Sequence, residues 1–223
     1  MRDVGLDVPR GLADVCRPDR LALVVYDMQF GIVSQMKEAP AILPKVVNTL
    51  AVARAGGLRV IFTRHLSMPK KLMGRFQLRQ AMAWQHTSDP DQVRPWFLRG
   101  SPGFEIVPEL APRDDEAVLD KIAFSAFEGT PLATVLRDCG LVSFAIAGIA
   151  TEIGIDPTIR HGADLGFIPV MVQDACGAGH AEAAQWSVSA LTFMGDAIMT
   201  DAAVFAAVVA AGDSKGNKEK SSL

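Results

Sequence analysis

The sequence has few cysteines, no long apolar run and no strong excess of charge of either sign. Its three cysteines, Cys16, Cys139 and Cys176, are odd in number and widely spaced, which argues against a disulfide framework or a zinc cluster. No apolar run reaches the roughly 18 residues that a transmembrane helix needs, and the start of the chain lacks the apolar region of a signal peptide. Together these absences predict a protein of the reducing cytoplasm with no membrane partner.

The charged residues are nearly balanced and are scattered along the chain. Lysine and arginine number 22 and aspartate and glutamate number 25, which gives a formal net charge of −3 over 223 residues. Because nucleic-acid surfaces need clustered basic residues, we expect no nucleic-acid partner. Hydrophobic residues make up 49% of the chain, and this length and composition are typical of one domain with a substantial core.

Six apolar runs are separated by helical patterns. Near-continuous apolar character is typical of strands that are buried on both faces of a parallel sheet. Strands that alternate with helices favour a three-layer α/β/α sandwich of the doubly wound, Rossmann type, with a parallel sheet of about six strands. The predicted strands span residues 21–27, 58–64, 116–121, 141–148, 167–174 and 196–200.

Composition divides the chain into an N-terminal arm at residues 1–19, one α/β domain at 20–211 and a tail at 212–223. The tail is polar and poor in apolar residues, so we expect it to be flexible. Within the domain, residues 66–115 contain no convincing strand and include a helical pattern followed by a segment rich in proline, glycine and aromatic residues. Such a long excursion between strands predicts a lid or a substrate-binding region.

Polar residues or glycines follow three of the predicted strands. Asp27 ends the first strand, Lys121 ends the third, and Gly148 begins the turn after the fourth. Ligands of open parallel sheets bind beyond the carboxyl ends of the strands, near the position where strand order reverses. Asp27 and Lys121 are therefore candidates for a buried acid–ammonium pair in a cleft. The alternatives are a turn residue for Asp27 and a solvated charge for Lys121.

The turn after the fourth strand leads into a predicted helix with Pro157 in its first turn. We expect the backbone N–H groups of residues 150–156 to point towards the cleft, where they can hold an anionic oxygen. Gly154 has two interpretations. It is either a simple turn residue or a position without a side chain that lets a ligand approach the backbone closely.

Four segments of the chain resemble those of a known superfamily, in the same order along the chain. They are "VVYDMQ", "RGSPGFEIVPEL", "KIAFSAFEGTPL" and "AGIATEIGIDPTIRHGADLGFIPVMVQDACGAG", and they resemble segments of the isochorismatase-like hydrolases. This superfamily includes nicotinamidases, N-carbamoylsarcosine amidohydrolases, ureide and biuret hydrolases and isochorismatase. The resemblance implies a hydrolase that acts on a small molecule and forms a homo-oligomer.

The resemblance places the family's catalytic aspartate at Asp27 and its lysine at Lys121. It also implies a cis peptide and an oxyanion-binding backbone in the turn at residues 148–151. Most members have a nucleophilic cysteine three residues after this turn, where this chain has Gly154. Loss of such a nucleophile typically removes on the order of 10⁶ in turnover, so a thioester mechanism is not expected here.

The true isochorismatases also resemble this chain in having glycine at that position, and they hydrolyse a vinyl ether. This bond is cleaved when an acid protonates carbon and water then adds, without a covalent nucleophile. We therefore expect a hydrolase in which Asp27 and Lys121 perform acid–base catalysis on a vinyl ether or activate water directly, with Gly154 in the catalytic turn. Two alternatives stay open, a cofactor-free lyase or isomerase with the same pair, and a catalytically silent homologue kept for binding or assembly.

The substrate remains open, because the chain departs from isochorismatase in two places. Residues 150–154 read "ATEIG" where the isochorismatases resemble "YAHIG", and the excursion lacks a recognisable dicarboxylate-binding set. A helix N-terminal acid is the alternative role for Glu152. Arg75, Arg79, Arg94 and Arg99 are candidate anchors for a carboxylate. The predicted substrate contacts are Phe30, His65, Trp84, Trp96, Ile149, Ala150, Thr151 and Glu152.

We predict no metal and no other cofactor. Nicotinamidases carry an Asp-x-His pair after the second strand, whereas this chain has His65 alone there and His86 in a different segment. A single histidine is more often a structural residue or a substrate contact than a metal ligand. Cys176 follows a strand on the site side of the sheet and is a weak candidate for a substitute nucleophile.

Overall fold

The six predicted strands form one parallel sheet. A computed structural model describes residues 5–220, with side chains described up to residue 212. The sheet has the order β3-β2-β1-β4-β5-β6, which confirms the doubly wound topology and places the reversal of strand order between β1 and β4. The strands are β1 (Leu21–Tyr26), β2 (Arg59–His65), β3 (Ala117–Lys121), β4 (Ser143–Ile149), β5 (Ile168–Gly177) and β6 (Ile198–Thr200).

Helices cover both faces of the sheet, because the central strands are apolar on both sides. Every residue of β1 and β4 is buried. Leu21, Leu23 and Val25 of β1 pack in one core cluster, and Ala22, Val24 and Tyr26 pack in the other. The helices are α1 (Leu12–Val15), α2 (Phe30–Val33), α3 (Ala39–Ala55), α4 (Arg75–Trp84), α5 (Leu132–Asp138), α6 (Asp156–Asp164), α7 (Ala181–Met194) and α8 (Ala202–Lys220).

The two core clusters define the three layers. The first cluster joins the sheet to α1, α3 and α8 through residues such as Val15, Leu50 and Phe205. The second joins the opposite face to α5, α6 and α7 through residues such as Leu132 and Ile159. This is the predicted α/β/α sandwich, in which burial of apolar surface on both faces is the main stabilising contribution.

The excursion between β2 and β3 contains α4 and several short 3₁₀ turns, and no strand is assigned between residues 66 and 115. Phe97, Phe104 and Leu110 are buried, so much of the segment packs against the domain. An isolated bridge between Gln29 and Ile106 also ties it to the segment after β1. The excursion therefore covers the carboxyl end of the sheet, and its action as a lid stays a prediction.

The two ends of the described chain meet on one face of the sheet. Leu12, Val15 and Cys16 of the predicted arm are buried in the same cluster as Phe205 and Val209 of α8. Helix α8 continues through residues 212–220, so most of the segment predicted as a tail has helical backbone, and its flexibility stays a prediction. Residues 1–4 and 221–223 lie outside the described residues. No described helix combines the length and apolarity needed to cross a membrane.

Candidate active site

Asp27 and Lys121 form an ion pair at the carboxyl end of the sheet. Asp27 follows β1 with a left-handed φ of 47°, and Lys121 is the last residue of β3. The Lys121 Nζ atom lies 2.6 Å from Asp27 Oδ2, and the two side chains are only 1% and 6% exposed. On the intervening strand, the Thr63 hydroxyl donates to Asp27 Oδ1 over 2.6 Å and accepts from the Asp27 N–H.

The Lys121 ammonium group has further partners beneath this pair. It lies 4.4 Å from the centre of the Tyr26 ring and donates to the carbonyl of Ala123. Burial lowers the pKa of Lys121, and the negative charge and hydrogen bond of Asp27 act in the opposite direction. An ion pair so enclosed is stable only while both partners are present, since either charge alone would be buried without compensation.

The turn after β4 combines a cis peptide between Ile149 and Ala150 with a π-helical turn over Thr151–Ile155. The cis peptide agrees with the resemblance described above. The predicted cradle of N–H groups is narrower than expected, because the Ala150 carbonyl accepts from both Gly154 and Ile155. The N–H groups of these two residues are satisfied within the turn and do not serve a ligand.

Gly154 makes room for Tyr26. A Cβ atom built on Gly154 would lie 2.6 Å from Tyr26 Cε1, and Cζ and the hydroxyl oxygen are closer still. The space that the sequence suggested for a ligand is therefore filled by a phenol ring. A cysteine at position 154 could not coexist with Tyr26 in this position, because real Cβ contacts do not come so close.

Sequence reasoning missed Tyr26, although two signals were present. Tyr26 is the only tyrosine of the chain, and it lies in an otherwise aliphatic strand directly before Asp27. Its side chain is 2% exposed, and its hydroxyl donates to the carbonyl of Phe124. Burial, together with the negative charge of Asp27, raises the pKa of the phenol well above its usual value. The phenol is therefore neutral at physiological pH.

A cavity of about 600 Å³ opens beside this pair. Asp27 and Tyr26 line it, whereas Lys121 and Gly154 lie behind them and do not reach its surface. Of the predicted substrate contacts, His65, Trp84, Trp96, Ile149 and Ala150 line the cavity. The other lining residues are Ile32, Gln35, Met36, Ala83, His86, Phe97, Phe124, Ile153, Gly179 and His180.

Three predicted contacts lie elsewhere. Phe30, at the start of α2, is 56% exposed, and the residue of this helix that lines the cavity is Ile32. The Thr151 hydroxyl is buried and donates to the carbonyl of Gly177. Glu152 accepts from the N–H of His180 over 2.6 Å, so its carboxylate joins the turn to the segment before α7. Thr151 and Glu152 therefore support the wall of the cavity from behind.

No arginine or lysine is among the described residues that line the cavity. Of the four arginines considered as carboxylate anchors, Arg99 pairs with Asp120, and Arg94 borders neighbouring pockets outside this cavity. Asp27 is the one carboxylate on the cavity wall within the described chain, and aromatic rings and apolar side chains form most of the remainder. This environment suits a neutral ligand better than an anionic one.

His65 is a neutral imidazole in the cavity wall. Burial, and then the positive charge of Lys121, lower its pKa from the ordinary value of 6.5 to about 4. Gln29 fixes the backbone of His65, because its side-chain amide accepts from the His65 N–H over 2.6 Å and donates to the His65 carbonyl over 3.1 Å. Within the cavity, the imidazole can therefore donate one hydrogen bond and accept another.

His65 is expected to make the free energy of unfolding depend on pH between 6.5 and about 4. Because the pKa of His65 is lower in the folded chain than in the unfolded chain, its contribution to stability is fully present above pH 6.5. That contribution is lost as the pH falls towards 4. The shift corresponds to roughly 3 kcal/mol. Urea denaturation at several pH values should show a smaller loss for His65→Gln than for the wild type. The same substitution at the exposed His86 should leave the pH dependence of the wild type unchanged. Equal pH dependence in the two variants would contradict the assignment of this effect to His65.

None of the three cysteines lines the cavity. Cys176 donates to the carbonyl of Ile146, and burial raises the pKa of its thiol. Burial also raises the pKa of Cys16, to about 11, and Cys139 caps the end of α5. Thiols with raised pKa values, as at Cys16 and Cys176, are poor nucleophiles at neutral pH.

Metal-ligating side chains are dispersed within the described part of the chain. No three histidine, cysteine, aspartate or glutamate residues of that part are grouped so that they could share an ion. Around the cavity, His65, His86 and His180 come from three separate segments. The expectation that the protein works without a metal stays a prediction.

Comparisons with known proteins identify the family and the fold of this chain. The family model described as "Isochorismatase domain" matches residues 21–203. The chain is 26% identical over 175 residues to the ureidoacrylate amidohydrolase RutB of Acinetobacter baylyi, with 71% of each chain covered. The corresponding protein of Klebsiella pneumoniae strain 342 is 28% identical over 174 residues, which cover 71% of this chain and 73% of that protein.

Solved structures show the same fold. An isochorismatase family protein from Desulfovibrio vulgaris is 27% identical, with a TM-score of 0.71 and coverage of 85% of this chain and 98% of the other. A cysteine hydrolase from Pseudomonas syringae has a TM-score of 0.77 at 24% identity, with 88% and 95% covered. The family match spans most of the chain and includes the strands that carry Asp27 and Lys121. The chain therefore belongs to the isochorismatase family of hydrolases.

Proposed function

We propose that this protein hydrolyses a small, neutral molecule by direct attack of water, with Asp27 as the general base and without a cysteine nucleophile. The observation that carries the proposal is the arrangement around Gly154. The Asp27 carboxylate lines the cavity, while a phenol ring fills the space beside the residue at the nucleophile position. This arrangement supports a reaction in which Asp27 acts as the base and no covalent nucleophile takes part.

The two carboxylate oxygens of Asp27 are held from below. Oδ1 accepts from Thr63 and Oδ2 from Lys121, and each oxygen has a further lone pair that can accept from water. In the proposed reaction, Asp27 takes a proton from water as the water oxygen bonds to the electrophilic carbon. The bond to the leaving group then breaks, and Asp27 returns the proton to the leaving atom. Lys121 keeps the carboxylate in place and balances its charge.

The cavity favours a neutral amide, ureide or ester with an aromatic or apolar portion. Trp84, Trp96, Phe97 and Phe124 provide aromatic surface, and neutral His65 can hydrogen-bond a carbonyl or an N–H group. The curated relatives are named ureidoacrylate amidohydrolases, which supports cleavage of a C–N bond. An acrylate carboxylate would lack a cationic partner among the described lining residues, so we expect this chain to act on a different ureide or amide.

A vinyl ether is the second candidate substrate, because glycine at position 154 resembles the true isochorismatases. In that reaction Asp27 would begin protonated and donate its proton to carbon. A lyase or isomerase would use the same pair without consuming water, and a silent homologue would turn over nothing. The enclosed ion pair favours an active protein, since a binding scaffold gains nothing from two charges that are costly to bury.

The proposal predicts that activity survives loss of every thiol. The test is a panel of neutral 4-nitrophenyl esters, 4-nitroanilides, aryl ureas and aryl vinyl ethers, each with a carboxylated counterpart. The triple variant Cys16→Ala, Cys139→Ala, Cys176→Ala should keep kcat within about threefold of the wild type, and iodoacetamide should leave the wild-type rate unchanged. Neutral members should be preferred. Loss of turnover in the triple variant while it stays folded would contradict the proposal.

The predicted cytoplasmic location and homo-oligomeric state belong to this proposal as expectations from sequence and resemblance. Size-exclusion chromatography with light scattering tests the second. A mass equal to one chain of 23.9 kDa would contradict it.

A further inference from the structure

One polar side chain of the cavity wall, that of Tyr26, has no role in the reaction described above. The Tyr26 hydroxyl is the nearest atom to the place where a side chain at residue 154 would begin. Tyr26 and Asp27 are consecutive, and both line the cavity. A hydroxyl oxygen thus lies in the place that the family gives to the nucleophile, beside the carboxylate that accepts the proton.

The phenol has three polar neighbours, the Phe124 carbonyl and the side chains of Thr158 and Asp27. Its single proton is donated to the carbonyl of Phe124, another residue of the cavity wall. A phenolic oxygen that donates its proton keeps lone-pair capacity to accept a hydrogen bond. Because burial and Asp27 both oppose ionisation, the group acts as a neutral phenol and does not become a phenolate nucleophile.

We propose that the Tyr26 hydroxyl replaces the family's thiol as a contact to the reacting atoms, by holding the attacking water together with the adjacent Asp27 carboxylate. This inference rests on the proposed function. The water donates one proton to Tyr26 Oη in a hydrogen bond and the other to Asp27, and its free lone pair is directed at the substrate. Asp27 then removes the second proton as the new C–O bond forms, and the proton later passes to the leaving atom.

This role gives a reason for the glycine at position 154. Glycine within a helical turn is costly relative to alanine, and the three atoms nearest to a Cβ on Gly154 all belong to the phenol. An attacking water molecule is oriented when both of its protons are donated to fixed acceptors, and the Asp27 carboxylate provides one of these acceptors. The phenol supplies the other acceptor without adding charge to an apolar cavity.

The test compares Tyr26→Phe with Ser143→Ala. Phenylalanine keeps the ring that packs beside Gly154 and under Lys121, and it removes only the hydroxyl. Ser143 is a matched control, because its buried hydroxyl also donates to a backbone carbonyl, that of Ile168. It is the first residue of β4 and therefore lies at the end of the sheet away from the cavity. Both variants lose one buried hydrogen bond, so their urea midpoints should fall by similar amounts.

The assay uses the panel member that the wild type hydrolyses fastest, with Asp27→Asn measured in parallel. We expect Tyr26→Phe to lower kcat by about 10²-fold with KM changed by less than about threefold, while Ser143→Ala keeps the wild-type kcat. If Asp27→Asn loses activity and Tyr26→Phe keeps it, the role of Tyr26 is wrong and the proposed function stands. If Asp27→Asn is as active as the wild type, or the wild type hydrolyses no panel member, the proposed function itself fails.

Discussion

Asp27→Asn is expected to lower kcat/KM by between about 10² and 10⁴ while the chain stays folded. Asparagine has the shape of aspartate, and its amide oxygen can still accept from Thr63 or Lys121. It cannot take a proton from water, so only the chemical step is lost. Burial already lowers the pKa of Lys121, and without the opposing charge of Asp27 this lysine can become neutral. The variant therefore avoids an isolated buried cation.

The matched control for this variant is Asp120→Asn. Asp120 lies next to Lys121 on β3, but its carboxylate pairs with Arg64 and Arg99 on the other side of the strand. Steady-state kinetics and circular dichroism of both variants separate catalysis from folding. Asp120→Asn should keep kcat/KM within about threefold, since it removes a charge outside the cavity. Equal activity of Asp27→Asn and the wild type would contradict the assignment of the base.

Lys121→Met is expected to destabilise the fold by about 3–5 kcal/mol. Methionine fills most of the volume of the lysine stem but leaves the Asp27 carboxylate enclosed with no counter-ion. The remaining side-chain partners of that carboxylate, the hydroxyl groups of Thr63 and Tyr26, are neutral and cannot balance its charge. The measurement is the free energy of unfolding from urea denaturation at pH 7.

Two controls define this effect. The double variant Asp27→Asn, Lys121→Met removes both charges and should be more stable than Lys121→Met alone, because no charge is left buried. Lys45→Met breaks the exposed pair with Asp174, whose side chains are 46% and 36% exposed, and should cost less than about 1 kcal/mol. A Lys121→Met variant as stable as Lys45→Met would show that the pair is not enclosed in solution.

Much of the fold was predictable because strand burial is local in sequence. β1 and β4 are continuous apolar runs, and such runs occur in strands that are covered on both faces. The ends of β1 and β3 could be located for the same reason, and parallel pairing then brought Asp27 and Lys121 to one edge of the sheet. Predicting this pair required only the direction of the strands and their order in the sheet, and both follow from general rules of α/β folds.

The interior of the site was less predictable, because it depends on contacts between distant segments. The fit of Tyr26 against Gly154 joins residues of two different strand ends, and no local pattern reports it. Similarly, Phe124 and His180 reach the cavity only because of how loops fold over the sheet. Phe30 was predicted to contact the substrate, but its side chain at the start of α2 is exposed to solvent. Short helices have no strong periodicity from which the buried face can be read.

The central claim is that water attacks the substrate directly and that no covalent intermediate forms on the protein. Intact-protein mass spectrometry of samples quenched during steady-state turnover of the best panel substrate tests it most directly. We predict that the mass of the chain stays at its unmodified value while product accumulates. A chain heavier by the mass of the acyl portion of the substrate would contradict the claim.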